Sequence, residues 1–531
     1  LTKDKLWWKN GIIYQIYPRS FQDSNADGIG DLQGIITRLP YLQDLGVDAI
    51  WLSPIYPSPN VDFGYDVANY EDISPQYGTM ADFDTLVAEA HKRGLRVILD
   101  LVYNHSSDRH PWFIESQKSR NNPYHDWYIW RDPAPGGKAP NNWLSTFGGS
   151  AWRYNPKRGQ YYYHMFTPEQ PDLNWRNPAM RAALLGNMRF WLERGVDGFR
   201  LDVFNNFFKD PEFRDNPSYK NLGLRPFDWQ DHRYDTAHQD MYPLLREMRS
   251  LLDEYPERYA VGETFLSDPA IARTYIGADL FHAGFNFNYT RTPWNARAFG
   301  NAIQYWDALH GDGAWPNWVL NNHDVPRSAT RYQADDADRK LKLLISMHLT
   351  LRGTPFLYYG EEIGMRDIKV TRGQIQDPVG RRYWPFYKGR DGCRSPMQWN
   401  AEAYAGFSTR RTWLKVNPDY PQRNLAAQKR DPNSLYHFYK ALIALRKLHP
   451  ALNSGQMRLL DQENPHLLVY EREAEDEKLL VALNFSIRPQ SLTIPEAYSR
   501  LLFPADKQEI VLDAQGHLLT LPGWEAAILA V

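Results

Sequence analysis

Along most of the chain, short apolar runs alternate with longer segments whose apolar positions recur every three or four residues. The short runs read as strands over 12–17, 49–52, 96–102, 196–203, 260–262, 283–287, 318–320 and 355–359. Between them lie helical stretches with readable ends. Thr79 reads as the N-cap of a helix with Asp82 in its first turn, closed by Lys92, Arg93 and Gly94. A second helix spans about 179–193 and stops before Gly195. Eight strand–helix alternations predict an α/β fold, a (β/α)8 barrel of parallel strands.

The rhythm breaks twice. Residues 106–177 are rich in Trp, Tyr, Pro, Gly and Asn without a clear period, and are too long for a loop. They read as an irregular domain inserted after strand three. A second excursion, 366–414, follows strand eight. After a helix over 434–448, short strands at 467–470, 479–485 and 526–531 predict an all-β domain of sandwich type. The expected division is a barrel over 1–105 and 178–449, the insert over 106–177, and a C-terminal β-sandwich domain over 450–531.

The net charge of −2 and the absence of a Lys/Arg block argue against nucleic acid or a membrane surface as partner. No apolar run is long enough to span a bilayer. The single cysteine, Cys393, cannot form an internal disulfide, and the start of the chain lacks an apolar signal core. Both favour a cytoplasmic setting, with a removed signal segment left open. Aromatic residues reach 14%; such rings fill cores and also make flat platforms for sugar rings.

Four strand ends carry ionisable groups: Asp100 to His105, Arg200 and Asp202 before Val203, Glu263 after Gly262, and Asn321-Asn322-His323-Asp324. On one barrel these ends converge on one pocket. Arg200 and Asp202 are alternate residues of one strand and share a face, so the guanidinium can hold the carboxylate ionised. A separate stretch, Asp23, Asn25, Asp27, Ile29 and Asp31, offers hard oxygen ligands at alternate positions, Ile29 through its carbonyl. Position twelve of that loop is Gly34, so the Glu of an EF-hand is missing.

These strand ends, in this order, resemble the signature regions of glycoside hydrolase family 13, the α-amylase family. Gln170-Pro171-Asp172-Leu173-Asn174 resembles the motif of its oligo-1,6-glucosidase and α-glucosidase branch. The resemblance covers essentially the whole chain. It implies Asp202 as nucleophile, Glu263 as general acid/base and Asp324 as a third carboxylate that holds sugar hydroxyls and helps keep Glu263 protonated. Glycoside cleavage requires such a pair, an acid for the leaving oxygen and a carboxylate at the oxocarbenium-like carbon. His105 and His323 are expected to bond hydroxyls of the same glucose. Asp62 and Tyr65 resemble the family's Asp-x-Gly-Tyr-Asp segment, Tyr65 as stacking platform and Asp62 as ligand of the far hydroxyls. Arg394 matches the arginine expected to pair with Asp62 and close the pocket beyond one sugar. Phe147 and Phe166 are candidate apolar walls. The 23–31 loop is expected to hold a structural Ca²⁺ or Mg²⁺, and no organic cofactor is implied.

The expected function is an exo-acting, retaining α-glucosidase acting on short glucosides or oligosaccharides such as maltose, sucrose and isomaltose. A sucrose or maltose isomerase or a transglucosylase would use the same carboxylates. A catalytically inactive binding subunit would be expected to have lost them. By resemblance, Val203 beside the nucleophile points to α-1,6 links, whereas the segment from Gly389 to Arg394 points to maltose and sucrose.

Overall fold

The computed structural model describes residues 6–219, 223–264, 268–311, 314–335, 337–460, 464–495, 497–504, 510–513 and 518–531. All eight expected barrel strands form: β1 (Ile13–Ile16), β2 (Ala49–Leu52), β3 (Arg96–Leu101), β4 (Gly198–Leu201), β5 (Tyr259–Gly262), β6 (Ala283–Gly284), β7 (Asn317–Val319) and β8 (Thr354–Tyr358). They are parallel and run β7-β8-β1-β2-β3-β4-β5-β6 around the sheet. Among the described residues β6 and β7 share no ladder. There the chain turns into the helix Phe287–Thr290, and the Thr290 hydroxyl donates to the Val319 carbonyl at 2.5 Å, bridging the gap.

Strand residues divide by parity, as strands covered on both faces require. Ile13, Trp51, Ile98, Val261, Val319 and Phe356 fill the barrel centre. Their neighbours Tyr14, Ile50, Leu52, Val97 and Leu99 join the layer under the helices. Trp8 belongs to the central cluster and stacks on Tyr259, ring centres 5.5 Å apart. Thr79 caps the helix Met80–Lys92 through a reciprocal box with Asp82. Asn177 and Ser434 cap Pro178–Glu193 and Leu435–Leu448.

The insert is more regular than its sequence suggests. It carries a short helix, Pro111–Ser116, and an antiparallel sheet ordered Trp130–Arg131, Gln160–Tyr163, Trp152–Asn155. Strands this short leave no run over which alternation could be read. A third excursion, not expected, occupies 202–240 between β4 and the helix Met241–Asp253. It packs against the insert: Trp143 Nε1 donates to the Arg214 carbonyl at 2.8 Å, and Asn141 Nδ2 to that of Phe213 at 2.9 Å.

Residues beyond 455 form antiparallel sheets of five and three strands around their own apolar cluster. Two buried guanidiniums meet where this unit adjoins the barrel, Arg446 within the barrel and Arg472 across the junction. Arg446 donates to the carbonyls of Leu349 (2.5 Å), Leu351 (3.1 Å) and Gly353 (2.6 Å). Arg472, on the strand Leu467–Ala474, donates to those of Thr350, Leu452 (3.0 Å) and Gly455 (2.9 Å). Burial pushes Arg446 down to about 10 and Arg472 to about 9, so both stay charged at neutral pH. Among the described residues no helix is long and apolar enough to cross a membrane.

Removing Arg472 strands four carbonyls, that of Gln456 (3.3 Å from Nε) included, each unmade bond costing about 1–3 kcal/mol. Arg472→Ala should therefore lower stability by roughly 3 kcal/mol or more in urea titration. Lys478→Ala, which breaks a surface pair with Glu473, should change it by less than about 1 kcal/mol.

Candidate active site

The register of β3 against β4 sets Asp100 opposite Arg200. Arg200 is fully buried. Its Nη1 lies 2.7 Å from Asp100 Oδ1 and 2.7 Å from Asp202 Oδ1, and its Nη2 abuts the Glu263 carboxyl. The Trp51 ring lies against the guanidinium, 5.2 Å from its centre. Backbone bonds continue the sheet to its C-terminal rim: Asp202 N donates to the Leu101 carbonyl and Glu263 N to that of Leu201. One guanidinium thus fixes carboxyl groups from three neighbouring strand ends.

Three carboxylates on one positive charge are too many for a dry site, and Glu263 gives way. Burial lifts its pKa well above the ordinary carboxylate range; Arg200 opposes this, and the charges of Asp202, Asp324 and Asp100 add to the rise. Burial favours the protonated acid at Glu263, and it also raises Asp100, to about 7, against the opposing pull of Arg200. Asp324 is in the opposite state. Burial pushes it up, but the positive groups around it, among them Arg390 and Arg394, hold it below the usual range. Arg394 Nη2 lies 3.0 Å and Arg390 Nη1 3.2 Å from its Oδ1. His323, pushed down to about 3 chiefly by burial, is neutral, so the two arginines carry the effect at neutral pH.

His323 Nδ1 meets Gln15 Nε2 at 2.9 Å, and its Nε2 faces Asp324 Oδ2 at 3.4 Å. Tyr65 lies parallel to the His323 ring, with centres 5.2 Å apart, and donates its hydroxyl to Asp100 Oδ2 at 2.9 Å. His105 reaches the same end of the barrel with both ring nitrogens engaged by protein. Its Nε2 meets the Tyr65 carbonyl (2.8 Å) and Gln170 (3.1 Å), and its Nδ1 meets Asn104 (3.1 Å). The segment from Gln170 to Asn174 fastens the insert here: Asp172 takes bonds from Asn104 (2.9 Å) and Lys209 (2.6 Å). Phe147 and Phe166 pack edge to face, 5.3 Å between centres, and share an apolar cluster with Val203. Val203 itself adopts φ 35°, ψ 37°, a left-handed conformation uncommon for a β-branched residue.

One expected pairing is corrected. The arginine on Asp62 is Arg390, at 2.6 Å, and not Arg394. Arg394 is spent on Asp324 and on the His323 carbonyl, which its Nε reaches at 2.8 Å. The two arginines flank the short helical turn Asp391–Arg394, and sequence spacing alone does not say which of them faces Asp62. Asp100, Gln170, Arg390 and Asp377 were not assigned site positions from sequence. The first three lie in the quoted segments, so proximity to a motif was the available signal; Asp377 had none.

The 23–31 loop lies apart and is closed by its own backbone. Asp23 accepts from the amides of Asn25 (3.0 Å), Ala26 (2.8 Å) and Gly28 (2.8 Å). Asn25 accepts from Asp27 N (2.9 Å), and Asp27 from Ile29 N (2.7 Å). Asp31 takes Ser24 and caps the helix Leu32–Leu45 through Gly34 N. Among the described residues no three His, Cys, Asp or Glu side chains converge as a metal set. A carboxylate has about four lone-pair sites, so each aspartate keeps at least one. The set fits a hard cation only if Asn25 Oδ1 and the Ile29 carbonyl complete it.

Residues 15–455 match the family model described as alpha amylase, catalytic domain, and residues 457–528 that of the maltogenic amylase C-terminal domain. A probable alpha-glucosidase of Rhizobium meliloti (strain 1021) is 44% identical over 99% of this chain and 97% of its own. An oligo-1,6-glucosidase of Parageobacillus thermoglucosidasius is 42% identical over 93% of each chain. The solved alpha-glucosyl transfer enzyme XgtA superposes with a TM-score of 0.95 at 40% identity, over 99% of both chains. With the barrel and the C-terminal sheets both covered by these family models, the chain belongs to the α-amylase family of glycoside hydrolases.

Proposed function

We propose that this glycoside hydrolase is an exo-acting, retaining α-glucosidase that releases glucose from the non-reducing end of short α-glucosides. The observation that carries the reading is the shared Arg200 guanidinium. It holds Asp202 and Glu263 on its two terminal nitrogens, a spacing that suits direct attack better than the wider gap an inverting pair leaves for water. In this reading Asp202 attacks the anomeric carbon while Glu263 gives its proton to the leaving oxygen. Glu263, now ionised, then takes a proton from the water that releases the sugar. Asp324, Tyr65, His323 and His105 surround the bound glucose, and the Asp62–Arg390 pair closes the pocket beyond one ring, which makes cleavage exo-acting. Val203, with Phe147 and Phe166, walls the side where the second sugar sits and favours the more flexible α-1,6 link, with maltose or sucrose cleaved alongside. A sugar in place of water gives transfer, which the likeness to a solved glucosyl transfer enzyme supports as the second reading.

The 23–31 loop is proposed to hold Ca²⁺ or Mg²⁺ through Asp23, Asn25, Asp27, Ile29 and Asp31. A cation there would stabilise the fold and take no part in the chemistry.

Asp202→Asn should reduce turnover of p-nitrophenyl α-glucoside by several orders of magnitude with the fold intact, because an amide cannot attack. NMR of the native reaction should show α-glucose as the first anomer; β-glucose first would refute retention. Glu263 must be protonated to act and its pKa is raised, so kcat should fall as pH rises through that pKa. Glu263→Gln should abolish this alkaline limb and spare activated leaving groups more than maltose. For the loop, Asp27→Ala or chelator should lower Tm while kcat at room temperature holds; an unchanged Tm in both, with no metal by elemental analysis, refutes the site.

A further inference from the structure

Arg390 is held by three carboxylates, and only two of them face the pocket in the reading above. Its Nη2 meets Asp62 and its Nη1 meets Asp324. The third, Asp377, grips the guanidinium along its edge: Oδ1 accepts from Nε at 3.1 Å and from Nη2 at 2.7 Å. Oδ2 of the same residue accepts from the Arg390 amide at 2.9 Å and from Gly380 N at 3.3 Å. Asp377 is wholly buried, and its own amide donates to Asp391 Oδ2 at 3.2 Å.

The surrounding backbone is shaped to permit this grip. Gly389 has φ 78°, and a Cβ there would lie 2.5 Å from Asp377 Oδ2 and 2.9 Å from Gly380 Cα. A Cβ on Gly380 would in turn sit 2.7 Å from the Lys388 carbonyl. Two glycines therefore cross at contact distance, so that residue 377 reaches both the main chain and the side chain of residue 390. Among the described residues nothing else along the Nε edge fixes the guanidinium plane. Phe147 lies 5.3 Å from its centre and leaves it free to turn in that plane. Without Asp377, Arg390 would be drawn fully onto Asp62 or Asp324 and would occupy the oxygens that a sugar's hydroxyls need.

We propose that Asp377 is a positioning residue for substrate specificity: through Arg390 it keeps Asp62 and Asp324 apart and open to the terminal sugar of an α-glucoside. The inference rests on the glucosidase reading above. It predicts a binding effect transmitted only through Arg390. Asp377→Asn keeps the shape and an oxygen for the backbone amides but turns a donor toward the guanidinium edge. It should raise KM for p-nitrophenyl α-glucoside about tenfold with kcat within about threefold of native. In an Arg390→Ala background the same change should alter kcat/KM by less than twofold. If Asp377→Asn does not fold, Asp377→Ser, which can still cap Gly380 N but cannot span to the guanidinium, is measured in both backgrounds. Calorimetry with glucose as probe reads the same cycle without turnover. Equal losses in the two backgrounds, or a fall in kcat alone, overturn the inference while native turnover upholds the glucosidase reading. A native protein that neither cleaves the glucoside nor binds glucose overturns both.

Discussion

A guanidinium that cannot lose its proton is buried where three strands of the barrel end, and the chemistry of the site follows from that placement. Arg200 is fully buried and is compensated by Asp100, Asp202 and Glu263. Because its charge is fixed, the carboxyl groups must adjust to it. One positive charge among three carboxyl groups in a buried cluster does not offset the cost of burial, and the pKa values of Glu263 and Asp100 both rise, the latter to about 7.

A second cationic centre does the converse. Arg390 and Arg394 both touch Asp324 and hold its pKa below the usual range, while that of Glu263 is raised. Two carboxyl groups of similar intrinsic acidity are separated by their surroundings alone, the pattern by which acid and base roles are divided at neutral pH. Both centres depend on long excursions from the barrel as well as on its strands. Arg390 arrives on the segment after β8, and the insert presses Phe147 against it and Gln170 against His105.

The barrel was legible because its strands are covered on both faces and so read as unbroken apolar runs such as 96–102, and because helix ends such as Thr79 carry their own capping chemistry. The rim residues Asp202, Glu263 and Asp324 were legible for a related reason: an ionisable group directly after such a run has few places to go except the mouth of the barrel. What escaped was set by contacts between segments far apart in sequence. The sheet of the insert has strands too short to show a period, and the 202–240 excursion has no periodicity at all. Arg390 and Arg394 flank one tight turn, and only the fold of the 366–414 segment aims the former at Asp62. Asp377 lies thirteen residues before Arg390, at a separation that no local rule connects.

The two guanidiniums that take up carbonyls of residues 349–353 bear on how such proteins can be recombined. Arg446 comes from the last helix of the barrel and Arg472 from a C-terminal strand, and both close on the few residues that lead into β8. Among the described residues neither is paired with a carboxylate there; each is matched by main-chain carbonyls, which offer no side chain to mutate in compensation. A C-terminal unit grafted from a relative must therefore bring an arginine to the Thr350 carbonyl, or the graft leaves that carbonyl buried and unbonded by it. The linker near residue 455 is consequently not a free boundary for exchange, because the contact of Arg472 with the Thr350 carbonyl crosses it.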